Sequence, residues 1–161
     1  PVDHSRRSDG GQLMIRALTT DDLPAIIELG SRMVTESVVG KYGVHLERSE
    51  YILTEIIGKP LVFAQGAFVD DALQALFIGE VADHIFVDMC VASDLFIYVS
   101  PTARGGVHAK RLTNSFVSWA YDHGADMIKL EISAGINNDR ACQLFNRLGF
   151  EDVGTLMGRI N

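Results

Sequence analysis

The chain is short of cysteine, of basic residues and of long apolar runs, and each shortage excludes a class of protein. Cys90 and Cys142 are the only cysteines among 161 residues. They stand in unlike contexts and form no metal or redox motif, so free, buried thiols are expected. No His/Cys/Asp cluster has metal-ligand spacing, and no metal is expected. Lys and Arg number 14 against 21 Asp and Glu, a net charge of −7. Phosphate backbones need a basic footprint, so nucleic acid is not expected as a partner. No apolar run approaches the ~20 residues of a membrane helix, and no secretory signal is seen. A cytoplasmic, reducing setting with no membrane partner is the expectation. Internal repeats and low-complexity linkers are also missing.

What is there is one domain's worth of apolar sequence, 47% of the residues, enough for a single sizeable core. Residues 1–12 are polar and read as a flexible arm. Residues 13–161 read as a single domain.

The most informative stretch is 94–113. Leu95–Val99 reads as a buried strand, ended by Ser100 and Pro101. Arg104-Gly105-Gly106 forms a turn, and an amphipathic helix follows from about Val107 to His123, with Leu112, Phe116, Trp119 and Ala120 on one stripe. Strand, glycine turn and helix together hold anions. The first N–H groups of a helix have no helical partner, and the dipole favours negative charge there. Gly105 and Gly106 keep side chains away from a ligand.

Val99-Ser100-Pro101 followed by Arg104-Gly105-Gly106-Val107-His108-Ala109 resembles the pyrophosphate motif of the GNAT superfamily of acetyl-CoA-dependent N-acetyltransferases, Arg/Gln-x-x-Gly-x-Gly/Ala. Arg104 and Ala109 match its first and last positions. Val107 stands where the motif has glycine, and Gly105 and Gly106 fall at its free positions. Residues 138–150, Asn-Asp-Arg-Ala-Cys-Gln-Leu-Phe-Asn-Arg-Leu-Gly-Phe, resemble the downstream pattern Asn-x-x-Ala-x-x-Leu-Tyr-x-x-x-Gly-Phe at Asn138, Ala141, Leu144, Gly149 and Phe150. The opening, Ile15 to Pro24, is similar to the family's first strand and helix. The wording Ser-Pro…Arg-Gly-Gly and Ile-Ser-Ala-Gly-Ile-Asn is most similar to phage-encoded members.

The resemblance implies an α/β (α+β) GNAT fold: a mixed, mostly antiparallel twisted sheet of about six to seven strands, about four helices, and strands 4 and 5 splayed to admit the pantetheine arm. The sequence places strands at Leu13–Leu18, Leu61–Phe68, Ala72–Val81, 84–91 with 94–99, Met127–Ser133 and Asp152–Ile160. It places helices from Thr19 or Thr20 to about Glu36, over Glu47–Ile57, over 107–123, and over 139–148 with Asn138 or Asp139 as cap.

Function follows from the same resemblance. An amine would attack the acetyl thioester directly in a ternary complex, with acetyl-CoA as cosubstrate and no metal. The backbone of Ile97, Tyr98 and Val99 would bind the pantetheine. Arg104, Gly105, Gly106, Val107, His108 and Ala109 would hold the pyrophosphate. Asn138 would fix the cofactor arm and Phe145 would pack on it. Phe145 stands where active relatives commonly carry a Tyr that protonates the departing thiolate, and phenylalanine has no proton to give. Tyr98 and Ser133 are substitutes. The base used by some relatives falls at Ser93 here, which leaves Asp94, Asp88 and Glu131 as carboxylate candidates. Lys129, Glu131 and Ser133 share one face of their strand, which either borders the slot or meets solvent. Tyr42 and His45 are substrate contacts or ordinary loop residues, and His84 is a base, a metal ligand or a surface residue. An unknown amine acceptor and a homodimer are the partners implied. Two further readings stand beside the enzyme: a catalytically weak GNAT-fold structural or phage component, and a CoA-sensing module. Both rest on Val107, Phe145 and the unassigned base.

Overall fold

Five strands and four helices make up the fold in a computed structural model that describes residues 12–159. The expected arm lies, apart from residue 12, outside the described residues. The elements are β1 (Leu13–Ala17), α1 (Leu23–Glu36), α2 (Leu46–Ile56), β2 (Val62–Val69), β3 (Ala72–Asp83), β4 (Cys90–Val99), α3 (His108–Asp122), β5 (Met127–Lys129) and α4 (Asn138–Arg147). The sheet order is β1-β2-β3-β4-β5, antiparallel throughout except for the parallel pair β4–β5.

Alternation within the strands sends one set of side chains to each face, and each face collects its own helices. Ile26 and Leu29 of α1 and Leu53 of α2 pack with Leu76, Ile78 and Tyr98 on one side. Leu112, Phe116 and Ala120 of α3 pack with Phe63, Phe77 and Ala92 on the other. The stripe expected on the helix after the glycine turn is thus the stripe that is buried. Phe77 and Phe116 stack at 4.4 Å, and Phe63 meets both edge-on. Gly79 makes room for this stack. A Cβ there would lie 2.6 Å from the Phe116 ring and 2.8 Å from the Ser93 carbonyl.

The start of α1 is set locally. Asp22 accepts from the Thr19 N–H at 2.9 Å and from both Nη atoms of Arg16 at 2.8 and 2.7 Å, which ties the helix entry to β1. The Arg16 guanidinium also lies over the Phe68 ring at 3.9 Å.

Several expected elements differ. Among the described residues the count is five strands, not six or seven. Residues 84–89 do not form a strand. His84 Nδ1 accepts from the Phe86 and Val87 N–H groups, both at 3.2 Å, so an imidazole serves backbone groups that a strand neighbour would serve. The segment 152–159 is irregular. Gly154 and Gly158 interrupt its alternation, and glycine weakens strand pairing. Met127–Ser133 pairs only as far as Lys129, for a reason that lies in the site. Neither Asn138 nor Asp139 caps α4. Asn137 precedes the helix instead, at a left-handed φ of 49°. The thiols are free, but not both buried. Cys90 is half-buried and Cys142 exposed, because α4 turns Ala141, Leu144 and Phe145 inward and leaves position 142 outside.

Candidate active site

The site begins where β4 and β5 stop pairing. Their parallel ladder runs Val91↔Met127, Ala92↔Ile128, Ser93↔Lys129 and ends. On its other side β4 bulges: Gly79 pairs with Asp94 and Ile78 with Phe96, so Leu95 has no partner. A bulge bends its strand and raises the local twist. At the same point Asp94 Oδ1 accepts the backbone N–H of Glu131 at 2.8 Å. A side chain therefore takes a donor that a strand would otherwise hold, and the two strands part.

The gap is a cleft of about 600 Å³. One wall is β4 from Asp94 to Val99; the other is Glu131 to Ala134. The Arg104–Gly106 turn and the first turns of α4 close its far end. Beyond Ser93 the outer edge of β4 has no neighbouring strand among the described residues. An extended ligand can pair with such an edge. On the α1 side the chain crosses the gap, since Val38 donates its N–H to the Ala134 carbonyl at 3.1 Å.

The carboxylates at the mouth differ in character. Burial pushes the Asp94 carboxyl up to about 6, against the hydrogen bond from Glu131, with the nearby Glu131 charge adding to the rise. Glu131 is half-exposed and lies 4.0 Å from Lys129 Nζ. The polar face of Lys129, Glu131 and Ser133 both borders the cleft, through Glu131 and Ser133, and meets solvent. Asp88 lies in the turn after His84 and does not line the cleft.

The glycine turn has the form expected. Ser100 ends β4, buried, with its hydroxyl donating to Gln74 Oε1 at 2.7 Å. Gly105 sits at φ 84°, a conformation that costs any other residue energy. α3 then starts at His108, so the N–H groups of its first turn face outward without helical partners. Gly105, Gly106 and Ala109 line the cleft; Val107 and His108 do not. The His108 ring instead lies against Gly106, about where a Cβ would come within 3.4 Å of it, and its Nδ1 is buried without a partner.

Two expected residues are engaged in ways sequence spacing does not show. Arg104 Nε donates to the Val99 carbonyl at 3.1 Å and Nη2 to Glu36 Oε2 at 2.8 Å. The Tyr98 hydroxyl donates to the other oxygen of Glu36. Burial and the Glu36 carboxylate push the Tyr98 hydroxyl up to about 12. The Tyr98 hydrogen bond, offset in part by burial and joined by Arg104, holds Glu36 below the usual carboxylate range. Glu36 escaped the sequence reading, although a signal was present: an acid as the last residue of a helix opposes the dipole and calls for a cationic partner.

Asn138 and Phe145 both line the cleft, Asn138 exposed and Phe145 buried with its ring 5.9 Å from Phe150. Phe145 also borders a second cavity of about 370 Å³ behind α4. His45 is spent locally, its Nδ1 accepting the Arg48 N–H at the start of α2. The Tyr42 ring lies 4.9 Å from Lys41 Nζ, away from the cleft.

A splayed parallel pair, a bulged fourth strand and a glycine turn leading into a helix form one arrangement, and the sequence matches the Acetyltransferase (GNAT) family model over residues 30–150. The chain belongs to the GNAT family. Its fold is the α+β GNAT fold, with a mixed sheet and four helices. Solved structures agree at the level of the fold. A transcriptional regulator from Bacillus halodurans C-125 superposes with a TM-score of 0.77 at 16% identity, covering 93% of this chain and all of the other (100%). AAC(6')-Iy in complex with a bisubstrate analog, CoA-S-monomethyl-acetylneamine, gives 0.74 at 18% identity, covering 93% and 98%. A ribosomal-protein-alanine N-acetyltransferase from Brucella melitensis biovar Abortus 2308 gives 0.68 at 17% identity, covering 92% and 99%. No curated protein sequence matches closely enough to count as a relative. As a GNAT protein the chain is an acetyltransferase by family, and it departs from the family motifs at Val107 and Phe145. No helix among the described residues is long and apolar enough to cross a membrane.

Proposed function

We propose that this protein transfers the acetyl group of acetyl-CoA to an amine by direct attack within the cleft between β4 and β5. The observation that carries the reading is the parting of the strands at Asp94, which opens a continuous path from that carboxylate to the Gly105–Gly106 turn. The free edge of β4 at Ile97–Val99 pairs with the pantetheine arm. The N–H groups from Gly105 to Ala109 hold the pyrophosphate, which the open surface at Gly105 lets approach. Asn138 and Phe145 contact the arm from α4. The Arg104 guanidinium is engaged by Glu36 and Val99, so its residue serves the pyrophosphate through the backbone.

Asp94 is the general base. A carboxyl pushed up by burial to about 6 is mostly ionised at neutral pH and is a stronger base than an ordinary carboxylate, so it takes the proton that an acceptor ammonium gives up. The neutral nitrogen then forms its bond to the thioester carbonyl carbon, and the carbon–sulfur bond breaks. As the carbon–sulfur bond breaks the nitrogen sheds its second proton, and water relays that proton to the departing thiolate, since Phe145 has none and the Tyr98 hydroxyl is committed to Glu36. Glu131, beside Asp94, orients the acceptor amine by charge.

A second reading, a GNAT protein that binds CoA with little or no turnover, draws on one observation: Phe145, which stands where the family motif commonly has its acid, lines the cleft. Titration calorimetry with acetyl-CoA tests the site they share. Wild-type protein is expected to bind, and Gly105→Asp to lose binding while keeping its circular dichroism spectrum. No heat from wild type at millimolar acetyl-CoA overturns both readings.

A further inference from the structure

Glu36 is the last residue of α1, and the site as described above gives it no part in the chemistry. It nonetheless makes two contacts with side chains far along the chain. One oxygen accepts the Tyr98 hydroxyl from β4 and the other accepts Arg104 Nη2 at 2.8 Å. Arg104 also reaches back to the Val99 carbonyl at 3.1 Å, and its guanidinium carbon lies 5.4 Å from the centre of the Tyr98 ring. The Arg104 and Glu36 side chains are 23% and 30% exposed, so water screens the pair only in part.

We infer that Glu36 is a positioning residue that clamps the Arg104–Ala109 turn to α1 and to the end of β4, holding its N–H groups in the shape that receives the CoA phosphates. The inference rests on the proposed function for the identity of the ligand, but the clamp itself is a property of the free protein.

Three features support a clamp. Arg104 is the first residue of the turn, and Gly105 directly after it is in a left-handed conformation that a free chain leaves readily. A turn that begins with a pinned side chain and continues through two glycines needs that pin for a defined shape. The pin is charge-assisted and shared, and such bonds are short and strong. Its second arm reaches Tyr98, which is buried in the sheet core. Two residues on, Val38 is bonded to Ala134 across the cleft. The end of α1 is thereby fixed to both walls, and Glu36 transmits that position to the turn. Preorganised donors bind an anion more tightly than donors that must first be ordered.

The rival possibility has the opposite sign. If the CoA phosphates must draw Arg104 away from Glu36, the carboxylate competes with the ligand, and removing its charge tightens binding. The variant Glu36→Gln, which keeps shape and loses the charge, separates the two. The clamp predicts that Kd for CoA rises about tenfold by calorimetry, on the scale of one charge-assisted hydrogen bond. Acetyl transfer should then show a raised KM for acetyl-CoA with kcat nearly unchanged. Amide hydrogen exchange in the free protein should quicken over 104–109 while residues 112–120 of α3 stay protected. Arg104→Gln should give the same loss, and the double variant little more, because the two side chains act as one unit. Tyr98→Phe, which leaves the ion pair in place, should lose less than either and serves as the test if Glu36→Gln does not fold.

Unchanged or tighter CoA binding in Glu36→Gln, additive losses in the double variant, or unaltered exchange at 104–109 each overturn the clamp. Failure of the wild type to bind CoA overturns the proposed function instead, and the exchange measurement still decides the clamp.

Discussion

Asp94 Oδ1 accepts the backbone N–H of Glu131 at 2.8 Å, across a gap where β4 and β5 have ceased to pair. One carboxylate therefore does two things. It satisfies a backbone donor at the point of splay, and it stands, partly desolvated, at the head of the cleft the splay creates. The bulge at Leu95 places it there by shifting the register of β4 against β3 between Ile78 and Gly79.

If Asp94 is the base, the pH profile should carry its signature. Activity should rise with pH through about 6 as the carboxyl ionises. Asp94→Asn keeps an oxygen for the Glu131 N–H and removes the base. A fall in kcat of about 10²-fold, within the usual range for general base catalysis, is expected together with loss of that limb. Stability should move the other way. Burial raises this carboxyl above its ordinary 3.8, so its contribution is fully present below that pH and is lost as pH rises through about 6. At pH 7 the charged, buried form is a cost, and Asp94→Asn should melt no lower than wild type. Retained activity with an unaltered profile would remove Asp94 from the mechanism.

Phe145→Tyr distinguishes a working enzyme from a protein that only binds CoA. The ring is buried and borders both cavities, the cleft among them. General acid catalysis is typically worth ~10²–10⁴-fold, and water already supplies part of it, so thiol release with a responsive amine should rise about tenfold. A fall would show that the site relies on Phe145 for packing. No turnover by either form across a broad panel of amines, with CoA still bound, would favour the binding-only reading.

Asp22 should carry stability rather than activity. It joins Arg16, Thr19 and the start of α1, and the Arg16 hydrogen bonds are the largest of the causes holding its carboxyl down at about 2. A depressed carboxylate contributes stability above its ordinary 3.8 and loses it as pH falls through about 2. Asp22→Ala should cost about 1–2 kcal/mol in urea unfolding at pH 7, from a lost cap and a part-exposed ion pair. The difference from wild type should shrink toward pH 2, with KM for acetyl-CoA unmoved throughout. A shift in that KM would show that the helix entry reaches the site.

The parts legible in the sequence are those with a local cause. Apolar spacing at 112, 116 and 120 marks the buried stripe of α3, and the packing uses those residues. Gly124 and Gly149 follow the last turns of α3 and α4, both at positive φ, as stop signals should. Asp70 and Asp71 form the β2–β3 turn with left-handed φ of 48° and 62°. The two motif segments, read with their spacing, are enough for the family. Local pattern misleads where a side chain intervenes. Residues 84–89 have strand composition, and the His84 imidazole Nδ1 accepts the Phe86 and Val87 N–H groups instead.

The sequence by itself determined the four helices and the strands between them, the buried faces, the glycine turn and the family, because periodicity and turn chemistry act over a few residues. Only the tertiary structure decided what the polar side chains do. Asp94 meets Glu131 at a separation of 37 residues, Tyr98 meets Glu36 at 62 and Arg104 meets Glu36 at 68. Such contacts depend on the twist of the sheet, one bulge and the angle at which α1 lies across it. Motif spacing assigns Arg104 to the phosphates, whereas packing gives its guanidinium to Glu36, because a carboxylate at the end of α1 lies within reach and an ion pair satisfies both charges.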